Sequence, residues 1–235
     1  MEKPKDSLTK EETLSMISHE LKTSLTASKW IIEMLQDGDV GELSTTQKEM
    51  MTKLSISNQR MMNIVSNLIM LSRTGTHENE YNISDVNIVN VIDSIVFEFG
   101  GEAFSQHIEL VYIKPEEDFP NIKGDESKLR IVFQNLIDNA IKYSKDGDRV
   151  VISLTKETEA IKITVKDTGI GIAEKDLPLI ASQFYRAPNA VEKSGSGIGL
   201  YICSRIIEGH KGKINIQSSL GQGTTMTVTL PIGTN

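Results

Sequence analysis

A single cysteine, Cys203, is all the thiol chemistry that this 235-residue chain contains. No intrachain disulfide can form, and a reducing, cytosolic setting is expected. Cys203 falls in the apolar helical pattern "IGLYICSRII", where a free cysteine packs as a small hydrophobe. Long hydrophobic runs are also missing. None approaches the roughly 18–20 residues that a membrane-spanning helix needs, and no secretory leader is visible. No membrane contact is expected of this segment. Its abrupt start at Met1 suggests the cytoplasmic part of a longer, membrane-anchored protein. An excess of positive charge is absent too: the formal net charge is −7, which argues against nucleic acid as a partner. The four histidines, at 19, 77, 107 and 210, share no metal-ligand spacing. There is no internal repeat and no low-complexity segment.

What is present is ordinary for a globular chain: 38% hydrophobic and 24% charged residues, in a length that suits one large or two modest domains. Two long helical patterns come first. Leu14, Ile17, Leu21, Leu25, Ile32 and Leu35 recur at steps of three, four and seven, which predicts an amphipathic helix close to heptad spacing. Thr9 and Glu12 read as a capping box at its start. "DGDVGEL" breaks the pattern, and a second helix is expected from about Ser44 to Arg73, with Leu54, Met61, Ile64 or Val65, Leu68 and Leu71 on its stripe. Two helices cover one such stripe poorly. A second copy would complete a four-helix bundle, so a homodimer is expected.

The expected domains are a helical hairpin over 1–75, a polar linker over 76–82 around "TGTHENEYN", and a mixed domain over 83–235. In the last, "DVNIVNVIDSIVFEFGGEAF", "DESKLRIVFQNLIDNAIKYS" and "SGIGLYICSRIIEGH" read as helices. "IELVYI", "RVVISLTKE", "AIKITVKD", "KINIQSS" and "TTMTVTLP" read as strands. The expected fold class is therefore multidomain α and α+β, the second part an α/β sandwich with helices on one face of a mixed sheet.

His19 stands in "SHELKTSL", two steps from both Ile17 and Leu21. At about 100° per residue it points away from the apolar stripe, against a core role. Neutral imidazole is nucleophilic near pH 7. Glu20 could accept its proton, and Thr23, one turn on, could hold a water. Spacing alone leaves open that the pair is only surface.

Three further segments bear on this choice. In "NLIDNAIKY", Asn135, Asp138, Asn139 and Lys142 crowd one side of a helix, suiting Mg²⁺ and phosphate or simply solvent. In "DTGIGI", Asp167 could accept from an adenine amino group, while Gly169 and Gly171 let backbone approach a ligand. In "GSGIGL", Gly195, Gly197 and Gly199 open a helix whose free N–H groups favour phosphate. It is neither a P-loop nor a Rossmann fingerprint, since the glycine spacing differs and a polar loop precedes it.

Taken in order, these segments resemble the sensor histidine kinases of two-component signalling. "SHELKTSL" looks like the family's H box, "NLIDNAIKY" its N box, "DTGIGI" and "GSGIGL" its glycine boxes, and "QFYRA" part of its F box. The resemblance implies a dimerisation and phosphotransfer hairpin followed by an ATP-binding domain of the gyrase, chaperone and histidine-kinase type, with ATP and Mg²⁺ as cofactors. It makes His19 the phospho-acceptor and Glu20 the assisting base. Thr23 would position water when a response regulator, the second partner, is dephosphorylated. Asn139 and Asn135 would hold the metal, Lys142 would approach phosphate, and Tyr143 the adenine or ribose. Asp167 would read the adenine, with Gly169 and Gly171 beside the base. Gly195, Gly197, Gly199 and Leu200 would form the phosphate end of an ATP lid over roughly 185–199, and Arg186 would help the transferring phosphate.

Two positions depart from the family. Ser24 stands where a proline is usual five residues after the histidine, and "LIASQFYRA" lacks the acidic lead-in of the F box. A gyrase-type ATP hydrolase is a rival reading. It needs a glutamate where Asn135 stands. A degenerate kinase acting as a scaffold or phosphatase is another, against which His19, Asn139, Asp167 and the glycines all argue.

Overall fold

The computed structural model of the chain describes residues 10–73, 81–115, 119–190, 193 and 195–233. The chain divides into two compact units, Met1–Asn79 and Glu80–Asn235.

The first unit is a hairpin of α1 (Lys10–Asp37) and α2 (Thr45–Arg73). Gly38 and Gly41 take φ of 85° and 117° in the turn between them, conformations that favour glycine. Helix α2 begins at a reciprocal cap. The Ser44 N–H and hydroxyl both donate to Gln47 Oε1, and the Gln47 N–H returns to Ser44 Oγ at 3.4 Å, the Ser-x-x-Gln form of the capping box. Thr9 and the side chain of Glu12, the expected capping box, and most of the 76–82 linker, His77 included, lie outside the described residues. Ile32 and Val65 are buried between the helices, whereas Ile17, Leu21, Leu54 and Met61, expected on the inner stripe, are 44–48% exposed. Two helices share a single seam, and here the apolar stripe is wider than the seam covers. Asn58, only 3% exposed, donates through Nδ2 to the Leu25 carbonyl at 3.1 Å. Nearby, the Thr26 and Ser28 hydroxyls donate to the carbonyls of Lys22 and Ser24.

The second unit begins with β1 (Ser84–Val86), which pairs antiparallel with β3 (Ile122–Gly124). A five-stranded sheet carries β2 (Glu109–Ile113), β4 (Arg149–Lys156), β5 (Ala160–Asp167), β6 (Lys213–Ser218) and β7 (Thr224–Pro231). Its order is β2-β4-β5-β7-β6, with only β2 and β4 parallel. Three helices complete the unit: α3 (Ile88–Ser105), α4 (Glu126–Lys142) and α5 (Gly199–Gly209).

Alternation along the strands explains the two layers. Val150, Ile152 and Leu154 of β4, Ile161, Ile163 and Val165 of β5, and Met226, Val228 and Leu230 of β7 are buried at every second position. This is the pattern of a sheet with one covered face. The helices supply the cover through Phe133, Leu136 and Ile137 of α4, Ile202, Cys203 and Ile206 of α5, and Ile92 and Ile95 of α3. Each such aliphatic or aromatic side chain contributes about 1.5–3 kcal/mol on burial. The burial of Cys203 agrees with its expected packing role. The sequence signals for the helices and long strands hold, with one correction: Asp85 and Val86, read as the start of a helix, lie in β1, and α3 begins only after its Asn87 cap. Among the described residues no helix is long and apolar enough to cross a membrane.

Candidate functional site

Helix α4 starts at Asp125, whose carboxylate accepts from the Lys128 N–H at 3.1 Å. The cap fixes where the helix begins and therefore which side faces out. Leu136, Ile137 and Ala140 are buried on the sheet side, and Asn135, Asp138, Asn139 and Lys142 are half-buried on the other. Asn135 Nδ2 is held by the Ile131 carbonyl at 3.1 Å, and Oδ1 faces Gly199 so closely that a Cβ there would lie 2.4 Å from it. The first residue of α5 thus packs directly on the polar ridge of α4. Burial raises the Asp138 carboxyl above its ordinary range, while Lys142 acts against that rise.

The helix ends at Tyr143, whose carbonyl accepts from Ile170 N at 3.1 Å. Burial pushes the Tyr143 phenol up, opposed by the nearby Arg186 charge. Lys142 Nζ lies 5.2 Å from the Tyr143 ring centroid. A Cβ on Gly195 would come within 3.0 Å of that Nζ and 4.0 Å of Arg186 Nε. Lys142, Tyr143, Arg186 and Gly195 are therefore brought together, two cations beside one glycine. Arg186 also donates through Nη2 to the carbonyls of Ala190 and Lys193.

Asp167 closes β5 and is 6% exposed. Its Oδ1 accepts from the Gly169 N–H at 2.9 Å and the Thr224 N–H at 3.1 Å. Burial raises its carboxyl above the ordinary value, and the two backbone donors only partly offset this. The glycines that follow have no room for a side chain. A Cβ on Gly169 would lie 2.3 Å from the Tyr143 carbonyl oxygen, and one on Gly171, where φ is +63°, would lie 2.0 Å from that of Ser219. At Gly197, with φ of +71°, a Cβ would meet the Tyr185 carbonyl at 2.7 Å. Leu200 sits half-buried in the first turn of α5.

On the hairpin, His19 lies within α1, with its side chain outside the described residues. Glu20 and Thr23 are exposed on the same helix. An open cavity of about 390 Å³ on the hairpin is lined by Lys22, Thr23, Thr26, Ala27 and Trp30.

Sequence reasoning missed the loop after β6. Gly221 N donates to the Ile170 carbonyl at 2.8 Å, and Ser218 Oγ accepts from Ile172 N at 2.8 Å while donating to the Gly223 carbonyl. A Cβ on Gly223 would stand 2.0 Å from the Asp167 carbonyl oxygen. This loop and the end of β6 thus hold the "DTGIGI" segment at Asp167, Ile170 and Ile172. The two glycines of "LGQGT" were the available signal.

A sandwich in which a polar helix face, a buried aspartate and two crowded glycines converge is the architecture of an ATP-binding domain. Comparison with known proteins agrees: residues 124–234 match the family model of the histidine kinase-, DNA gyrase B- and HSP90-like ATPases. Residues 9–77 match that of the His Kinase A phospho-acceptor domain. With both domains in this order, the chain belongs to the sensor histidine kinases of two-component systems. It is 34% identical over 226 residues to the sensor histidine kinase WalK of Bacillus subtilis (strain 168), which covers 94% of this chain and 36% of that protein. To the adaptive-response sensory kinase SasA of Prochlorococcus marinus it is also 34% identical, covering 94% of this chain and 57% of SasA. The chain thus spans between about a third and three fifths of these relatives. Among solved structures, full-length ShkA in complex with AMPPNP matches with a TM-score of 0.78 at 25% identity, over 96% of this chain and 46% of that one.

Proposed function

We propose that this chain is the kinase core of a two-component sensor. It would transfer the γ-phosphoryl group of ATP to His19, pass it to an aspartate of a response-regulator receiver domain, and remove it again by hydrolysis as a phosphatase. The observation that carries the reading is the pairing of the Asp167, Gly169 and Gly171 cradle with the cationic Lys142 and Arg186 beside Gly195. The complex of ShkA with AMPPNP, an ATP analogue, supports ATP as the nucleotide.

In this reading a neutral imidazole nitrogen of His19 forms a bond to the γ-phosphorus as the bond to the β–γ bridging oxygen breaks. That electron pair leaves on ADP, and Glu20 accepts the proton from the other ring nitrogen. Asp167 accepts from the adenine amino group, with Gly169 and Gly171 close to the base and Tyr143 alongside. Lys142, Arg186 and the N-terminal turn of α5, including Gly197, Gly199 and Leu200, offset the charge of the phosphates. Among the described residues no group of three His, Cys, Asp or Glu side chains could hold a metal. The donor set suits an Mg²⁺ ion bound chiefly through phosphate and water, with the amide oxygens of Asn139 and Asn135 as protein ligands. There it would neutralise charge on the transferring group. Thr23, exposed on α1, would hold the water that attacks the phosphorylated regulator.

A homodimer would cover the exposed Ile17, Leu21, Leu54 and Met61 of the hairpin. The cytoplasm, which supplies ATP and keeps Cys203 reduced, is the compartment this reading requires.

The test is incubation with Mg²⁺ and ATP labelled on the γ-phosphate, beside a His19→Gln variant. Acid-labile label on the parent and none on the variant is expected. Label on neither, with ATP still bound, would reduce the chain to a scaffold or phosphatase.

A further inference from the structure

The short 3₁₀ turn Pro188–Ala190 carries an exposed asparagine with one specific bond. Asn189 Nδ2 donates to the carbonyl oxygen of Gly171 at 2.9 Å. A Cβ on Gly171 would lie 2.0 Å from the Ser219 carbonyl oxygen, and the N–H of Ile172 donates to Ser218 Oγ at 2.8 Å. The peptide after Gly171 is therefore held at its N–H by Ser218 and at its carbonyl by a side chain from the segment that begins with the "QFYR" sequence. That segment has its own anchors: Tyr185 OH donates to Asp176 Oδ1 at 2.8 Å, Ala187 is buried, and Ala190 N donates to Ala187 O at 2.9 Å. Asn189 is thus a donor on a fixed turn, aimed at a glycine whose backbone has other low-cost conformations open to it.

We infer that Asn189 is a positioning residue for the adenine end of the nucleotide. It holds the Gly171 carbonyl, and through it the 167–172 loop, in the shape that receives the base. Ordering of the loop before the ligand arrives lowers the cost of binding. This rests on the proposal that the nucleotide base sits at Asp167 and Gly171. The contact is made at the base end, so it acts on ATP and ADP alike. It acts through a donated proton and not by filling space, which sets the rank of two variants. Asn189→Ala loses the bond. Asn189→Asp keeps the shape but turns a carboxylate oxygen toward a carbonyl oxygen, which repels it.

The experiment measures equilibrium binding of ATP and of ADP, each with Mg²⁺, to the 235-residue chain and both variants. Thermal unfolding without nucleotide and the KM for ATP in autophosphorylation are measured alongside. Asn189→Ala is expected to weaken both nucleotides by the same factor, roughly two- to tenfold for one ordinary hydrogen bond. Asn189→Asp weakens them further. The KM rises by a matching factor with the saturated rate kept, and the unfolding midpoints fall by no more than the few degrees that one lost hydrogen bond costs. An Asp variant that binds like the parent overturns the inference, as does a loss confined to ATP or no loss in either variant. If the parent itself binds neither nucleotide, the reading of the site fails first, and the role of Asn189 fails with it.

Discussion

The backbone N–H of Asp125 donates to Nε2 of His210 at 2.9 Å, joining two residues 85 positions apart. The other ring nitrogen, Nδ1, faces the Ile206 carbonyl at 2.7 Å, so the ring sits neutral with its proton on Nδ1. Asp125 caps α4 and His210 follows the end of α5, so this one imidazole ties together the two helices that carry the N box and the last glycine box. Tyr81 packs edge-on against it, and Lys128 stands over the Tyr81 ring.

The first prediction concerns pH and stability. Burial, the largest effect, pulls the His210 pKa below its ordinary 6.5; the Ile206 carbonyl and Asp125 oppose this, and Lys128 adds to it. The unfolded chain therefore takes up this proton before the folded one as pH falls. The stability held by the neutral ring is complete above about pH 6.5 and is lost progressively below it. His210→Leu leaves the buried Asp125 N–H without its acceptor, at about 1–3 kcal/mol, or several degrees of melting temperature. Melting curves from pH 5.5 to 7.5 should show the gap between parent and variant largest at the alkaline end. A gap that widens toward acid would refute the assignment.

A second prediction follows from Asp167. Its carboxyl is raised by burial, so it gains a proton at a higher pH than an exposed aspartate does. Adenine nucleotide affinity should accordingly fall on the acid side earlier than ordinary carboxylate titration would bring. Asp167→Asn should weaken ADP binding roughly ten- to a hundredfold, as for a charged hydrogen bond of about 1.5–3 kcal/mol, and flatten that acid limb. Calorimetric titration at several pH values separates the two effects.

Two glycines should respond in opposite directions. Gly169→Ala would put a Cβ 2.3 Å from a backbone oxygen, while Gly100→Ala meets nothing within 4 Å on α3. The first should displace the Asp167 loop and abolish nucleotide binding. The second should raise stability by about 0.5–1 kcal/mol through helix propensity. Urea unfolding together with ADP titration of each variant reads both signs.

The fourth prediction lies on the hairpin. Ser24 leaves α1 unbroken beneath His19, and side chains donate to the Lys22, Ser24 and Leu25 carbonyls around it. Ser24→Pro removes one helical N–H and clashes with the preceding turn, at about 3 kcal/mol. It should change the ratio of autophosphorylation to regulator dephosphorylation. An unchanged ratio would mean that bending at this point does not separate the two activities.

Much of this was legible in the sequence because it is local. Asp125 before a helical stripe marks a cap, and the strands alternate. Glycines that must approach other backbone appear as glycines at Gly169 and Gly171. The apolar spacing of Ile17 and Leu21 showed a stripe but not what covers it, and the hairpin by itself leaves both exposed. What was not legible depends on distant pairing. Thr224 reaches Asp167 only through the register of β5 against β7, and Asn189 meets Gly171 only after the chain has folded back. His210 ends the predicted helix "SGIGLYICSRIIEGH", and nothing local marks its partner, which is 85 positions away.

The bond between Asp167 and Thr224 spans 57 positions, and this gives the pocket a place in time as well as in space. On a ribosome adding roughly 5–20 residues each second, N-terminal segments fold first, so the hairpin can leave the exit tunnel while much of the sheet is still unmade. For several seconds after Asp167 is synthesised, the strand that completes its coordination does not yet exist. On the proposed reading, the newborn chain therefore carries His19, its phosphate acceptor, well before it can bind a phosphate donor.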